Sequence, residues 1–278
     1  MKKCVAIFLV IISALVYSCK SRQSERDRAA AAFTSCWFST KDSIWNDYLL
    51  QDALRIYASR KDKKTLFSKK YVVAAPDSSF ATNIHIFERI FSKSGRYLVV
   101  DRKCGIEYFN IYLSESEKLQ PVLAHEEYLY AIDIYDFKDV NADGNEDFNL
   151  YHSESRYRPG ERQTTYIMRN DGRSFSPKLK FENPTFSAQE KTVLVMDIGF
   201  SGNVPMRKLA WNGETVDTLE TISLEYDADF KRTGKFVRMT THLRNKRIEI
   251  LDSLPNEYVN FSLLDRFLAT DREPNPKP

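Results

Sequence analysis

From Tyr71 onward the chain is a succession of short segments rich in β-branched and aromatic residues, and no other feature restricts its fold so strongly. They are YVVAA (71–75), NIHIFERIF (83–91), RYLVVDR (96–102), IEYFNIYL (106–113), LYAIDIYDF (129–137) and FNLYH (148–152). The series continues with QTTYIMR (163–169), TVLVMDIG (192–199), RKLAW (207–211), TISLEY (221–226), FVRMTTHLR (236–244) and RIEILDS (247–253). Several alternate apolar and polar residues, the mark of a strand with one buried face. Turn signals separate many of them: SKSGRY around Gly95, RNDGRSF around Gly172, WNGETV around Gly213 and KRTGKF around Gly234. Asn-Gly and Asp-Gly pairs supply the positive φ that tight hairpins require. The expectation is an all-β fold of antiparallel strands, either a multi-sheet β domain or a β-propeller-like array of small sheets. No strict repeat selects between the two.

One segment departs from this pattern. In SIWNDYLLQDALRIYAS (43–59) the residues Ile44, Trp45, Tyr48, Leu49, Ala53, Ile56 and Tyr57 recur at three- and four-residue intervals. That spacing predicts an N-terminal amphipathic helix whose stripe packs on the β domain. The domain reading is a helical segment over 36–69, a β domain over 70–255 and a C-terminal tail over 256–278. The tail ends in TDREPNPKP, which is Pro-rich, charged and expected to be disordered.

The first 28 residues read MKKCVAIFLVIISALVYSCKSRQSERDR. A short basic start precedes an apolar run over 5–17, the length of a signal-peptide core and too short to cross a bilayer stably. The run ends in LVYSC, which resembles the lipobox of bacterial lipoproteins, with Tyr17 bulkier than the usual residue there. That resemblance implies a lipoprotein signal peptide over 1–18, lipidation of Cys19, a polar tether over 19–35 and a membrane partner reached through acyl chains. An ordinary secretory signal is the alternative, and either one implies export. Lys20 permits an outer-membrane destination as well as a periplasmic one.

Loss of residues 1–18 removes Lys2 and Lys3, so 41 basic residues become 39 against 38 acidic ones. A nearly neutral body with interspersed charge lacks the basic stripe that a nucleic-acid partner requires, so none is expected. Two of the four cysteines, Cys36 and Cys104, remain for the mature body. In an oxidising compartment they would form a single disulfide pinning the N-terminal segment to the main domain; two buried thiols are the alternative.

The stretch DVNADGNEDF (139–148) is the strongest candidate site. Hard divalent cations take six to eight oxygen donors, and calcium tolerates irregular geometry. A D-x-N-x-D-G-x-x-D spacing places Asp139, Asn141 and Asp143 on one concave side. Gly144 makes the turn, Asn145 offers its backbone carbonyl and Asp147 closes the loop. Position 150, where a helix-loop-helix calcium site carries its closing Glu, is Leu150, so the site would be a strand-loop-strand version. The plain reading is a solvated turn, because Asp, Asn and Gly are the preferred turn residues.

This loop resembles the calcium loops of FG-GAP and VCBS-type β-propeller repeats. The order of loop, strand, DG-x-x-F hairpin, NPTF, glycine-containing stretch, aromatic-NG hairpin and charged strand pair, over about residues 83–253, is similar to a family of periplasmic calcium-binding β-propeller-like proteins that includes inhibitors of c-type lysozyme. The resemblance implies a calcium-stiffened binding scaffold and, in some members, a surface loop that plugs a lysozyme cleft. That loop would fall on GFSGN (199–203), with Ser201 and Gly202 as its small residues, although Ser-Gly is also an ordinary turn dipeptide.

No catalytic pattern accompanies these features. His85, His125, His152 and His242 show no metal-protease spacing, GFSGN lacks the second glycine of a nucleophile elbow, and HEE (125–127) reads as surface charge. The expectation is a non-enzymatic, lipid-anchored and calcium-stabilised envelope protein. Its partner would be a protein, either a secreted hydrolase such as lysozyme or a larger envelope complex. An envelope glycan hydrolase and a structural accessory lipoprotein are the alternatives.

Overall fold

The computed structural model describes residues 44–269 apart from 63–64, 75–80, 93–94, 105, 116–117, 129–131, 153–159, 197–204, 243–244, 260 and 262–263. Helix α1 (Ile44–Ala58) precedes β1 (Ser68–Ala74), β2 (Ala81–Ser92), β3 (Gly95–Cys104), β4 (Ile106–Glu115) and β5 (Lys118–Tyr128). Next come β6 (Ile132–Lys138), β7 (Asp147–His152), β8 (Arg162–Tyr166) and β9 (Leu179–Glu182). The series ends with β10 (Thr185–Ser187), β11 (Thr192–Met196), β12 (Met206–Asn212), β13 (Thr215–Tyr226), β14 (Arg232–His242), β15 (Asn245–Leu251), α2 (Asn256–Val259) and α3 (Leu264–Ala269). These strands make three antiparallel sheets, β1–β5, β6–β9 and β10–β15, in which every strand neighbours its sequence neighbour and none of which closes. The fold is all-β, as expected. Among the described residues no helix is long and apolar enough to cross a membrane.

Two compact units divide the described residues: those up to 89 and within 96–129, and those within 90–95 and from 130 onward. The stretch 70–255 divides between the two units, and α1 goes with the first sheet, on which its stripe packs.

In the first unit, Trp45, Leu49, Ala53 and Tyr57 recur every fourth residue, so one stripe of α1 meets the sheet face made by Ile84, Ile86, Leu98 and Val100. Polar clamps fix both ends of the helix. Near its start the buried Arg102 guanidinium donates to the Asn46 carbonyl at 2.8 Å and to the Asn46 and Asn110 side chains. Near its end the buried Glu88 carboxylate accepts from the Tyr57 hydroxyl, pairs with Arg60 at 3.0 Å and accepts the Phe67 amide at 3.0 Å.

In the second unit the six-stranded sheet is covered on both faces. Val193, Val195 and Leu209 pack with Phe181 of β9, while the alternate positions Met196, Met206, Ile222, Leu224 and Phe236 pack with Tyr258, Phe261 and Phe267. Glu220 links sheet and helix, accepting from the Tyr258 hydroxyl and from Arg238 Nε, each at 2.7 Å. Residues 256–269, read as the start of a tail, are thus a structural cover for the sheet. The Pro-rich end, 270–278, lies outside the described residues.

Three strands escape the sequence pattern. β5 carries Pro121, which argues against a ladder strand, but β5 is an edge strand with a register shift opposite Ile111 and Tyr112, where proline is tolerated. β9 and β10 are four and three residues long, too short for a period to register. Gly234 does not make the turn expected around it. The turn is at 227–231, where the Asp227 amide donates to the Lys231 carbonyl at 2.8 Å, and Gly234 lies within β14 at φ 82°.

Phe267→Ala tests the role of the C-terminal segment. Truncating a buried aromatic removes about 3–5 kcal/mol of stability, to be read as a lower urea midpoint. A segment that was only a tail would leave the midpoint unchanged.

Candidate metal centre

The loop joining β6 to β7 is built around side-chain oxygens that accept backbone N–H groups. Asp139 accepts from the Asp143 amide at 3.2 Å and the Gly144 amide at 2.8 Å. Asn141 accepts the Asp143 amide at 3.2 Å, and its own amide nitrogen donates to Asp143 Oδ2 at 3.0 Å. Asp143 Oδ1 accepts the Asn145 amide at 2.8 Å. Asp139 and Asn141 thus both accept the Asp143 amide, and Asn141 and Asp143 are joined side chain to side chain. Ala142 at φ 57° and Gly144 at φ 93° bend the backbone. A Cβ on Gly144 would meet nothing within 4 Å, so its requirement is conformational rather than steric.

Asp147 is different in kind. It is fully buried, and its two carboxylate oxygens accept the Val140 amide and the Met168 amide, each at 2.9 Å. It thereby ties the start of the loop to the residues that follow β8. Burial pushes its carboxyl up to about 7, the Val140 and Met168 amides pull against that rise, and the Asp143 and Asp139 charges add to it. The three carboxylates share one electrostatic environment. Among the described residues no three His, Cys, Asp or Glu side chains already stand in a metal-holding group; the loop is closed by its own amides.

An apolar base and a buried polar network support the loop. The Glu146 amide donates to the Phe91 carbonyl at 2.8 Å, and the Phe91 ring meets Phe137 edge-on at 4.8 Å and Phe175 at 5.5 Å. Asn149 Nδ2 reaches the carbonyls of Lys138 at 3.3 Å and Asp147 at 3.4 Å, one on each stem of the loop. Its Oδ1 accepts from Gln163 at 3.0 Å and Thr165 at 2.9 Å. Sequence reasoning missed Asn149, Gln163 and Thr165, because alternation in FNLYH and QTTY makes them look solvent-facing. All three are buried.

The remaining candidates do not assemble into a second site. His152 pairs with Thr164 at 2.9 Å and His85 with Ser68 at 3.3 Å, on different sheets. His125, read as surface charge, is buried in β5 with Nε2 4.0 Å from the Glu127 carboxylate. Cys19, Cys36, Ser201 and Gly202 lie outside the described residues, and Cys104 is described only as the backbone end of β3. The disulfide and the inhibitory loop thus remain expectations.

No protein-family model matches the chain, and no curated protein matches it. A solved structure described as "Structure of a Xanthomonas Type IV Secretion System related protein" is similar over 69% of this chain and 96% of its own, at 8% identity and a TM-score of 0.34. Likeness at that level carries no argument about function.

Replacing Asp147 and Asp143 in turn separates clamp from ligand. Asp147→Asn sets an amide NH2 against a buried backbone N–H, so it costs about 1–3 kcal/mol even with no metal supplied. Asp143→Ala, at an exposed position, costs stability chiefly when calcium is present. Chemical denaturation of both variants, with and without chelator, reads the difference.

Proposed function

We propose that this chain is an exported, lipid-anchored binding protein of the bacterial envelope whose 139–147 loop holds calcium and whose partner is a secreted hydrolase such as lysozyme. The carrying observation is the loop: an oxygen-rich turn backed by a buried carboxylate that its acidic neighbours push further toward neutrality. The donor set suits a hard cation. Asp139, Asn141 and Asp143 would hold it through side-chain oxygens, Asn145 through its backbone carbonyl, and Asp147 through lone pairs beyond those given to the two amides. Calcium bound there supplies the positive charge that offsets repulsion among three carboxylates. The residues beneath keep the donors in place: Asn149 spans the stems and Phe91 anchors the rim.

This role belongs to a scaffold and not to a reaction centre, which supports a binding protein over an enzyme. The partner class rests on the resemblance of the loop and of the hairpin order to the lysozyme-inhibitor family. The finer fold expectation, a propeller-like array, goes with the same reading, since the four-stranded β6–β9 sheet that carries the loop is a meander of the kind propeller blades use.

Three measurements bear on the proposal. Calcium at about a hundredfold excess over its Kd adds about 2.7 kcal/mol to the unfolding free energy, and Asp143→Ala removes that gain; a melting temperature indifferent to chelator reduces the loop to a turn. Cys19→Ser abolishes labelling with a fatty-acid analogue and moves the protein from the membrane to the soluble fraction. Immobilised c-type lysozyme retains the calcium-loaded chain, and the absence of binding removes lysozyme as the partner.

A further inference from the structure

The six-stranded sheet ends in β15, and among the described residues β15 pairs with β14 alone. Lys246, Arg247, Ile248, Glu249 and Ile250 are all exposed, the two isoleucines at 68% and 48%. An uncovered edge strand presents a row of backbone donors and acceptors to another strand, and charged side chains usually guard it. Here the guards are self-complementary. If a second β15 lies antiparallel with Ile248 opposite Ile248, each Arg247 stands opposite the Glu249 of the other copy.

The rest of the sheet agrees with that register. Glu249 lies across from Arg238 within the chain, and Ile248 across from Met239. The paired edges would extend both rows: Arg238, Glu249 and the second copy's Arg247 on one face, Met239, Ile248 and the second copy's Ile248 on the other. A shift that centres the pair on Glu249 sets two carboxylates against each other, and like charges directly opposed are destabilising. Charge therefore selects both the partner and the register.

We infer that β15 is a self-association edge through which two copies of this chain join their six-stranded sheets antiparallel, centred on Ile248. Directly opposed residues have Cα atoms about 4.5–5.5 Å apart, within the span of a disulfide. Mild oxidation of the full-length Ile248→Cys chain should give a reducible dimer, judged against the unsubstituted chain. Ile250→Cys should not, because Lys246 opposes it. In sedimentation, Arg247→Glu and Glu249→Arg should each weaken the dimer by about tenfold or more, and the double exchange should restore it. A monomeric natural chain overturns the inference. So does a dimer insensitive to the charge exchanges, a dimer that Ile250→Cys traps better, or a β15 that binds only the strand of a different protein.

Discussion

The Asp147 carboxylate holds together the part of this molecule on which its functional reading rests. One oxygen fixes the Val140 amide at the mouth of the loop and the other fixes the Met168 amide beyond β8. The group is fully buried, and desolvation first, then the Asp143 and Asp139 charges, raise its pKa to about 7. A carboxyl whose folded pKa lies above its unfolded value favours the folded state when protonated, and that advantage declines as pH rises toward and through 7. The fold therefore carries an electrostatic cost near neutrality. A cation bound among these oxygens is the direct physical remedy.

The three sheets face a common difficulty, since a meander exposes two faces and each apolar face needs cover. Helix α1 covers one face of the first sheet with a four-residue-spaced stripe, clamped by Arg102 and Glu88. Tyr258, Phe261 and Phe267 cover the last sheet from the C-terminal side, where Glu220 receives Tyr258. The β15 edge is left with exposed charges that match their own reverse.

Much of this was legible in the sequence. The α1 stripe was plain because Trp45, Leu49, Ala53 and Tyr57 share one spacing, and most strands announced themselves through β-branched and aromatic runs bounded by Gly turns. The loop between β6 and β7, where Asp139, Asn141 and Asp143 bond the loop's own amides, was plain from its Asp, Asn and Gly content. What escaped did so for physical reasons. Asn149, Gln163 and Thr165 satisfy one another in the interior, and a polar residue whose partners come from other strands looks solvent-facing in one dimension. β5 was hidden by Pro121, whose missing N–H an edge bulge makes harmless. Tyr258, Phe261 and Phe267 pack largely on Met196, Met206, Ile222 and Phe236 of earlier strands, contacts that local spacing does not signal.

The central claim is that the 139–147 loop is a single calcium site and that Asp147 sits beneath it as a clamp. Isothermal titration of calcium into the chelator-stripped, full-length chain tests it most directly. The account predicts one site per chain, with no saturable heat once Asp139 and Asp143 are both replaced by Ala. A flat titration of the natural chain, or an unchanged isotherm in the double variant, would contradict it.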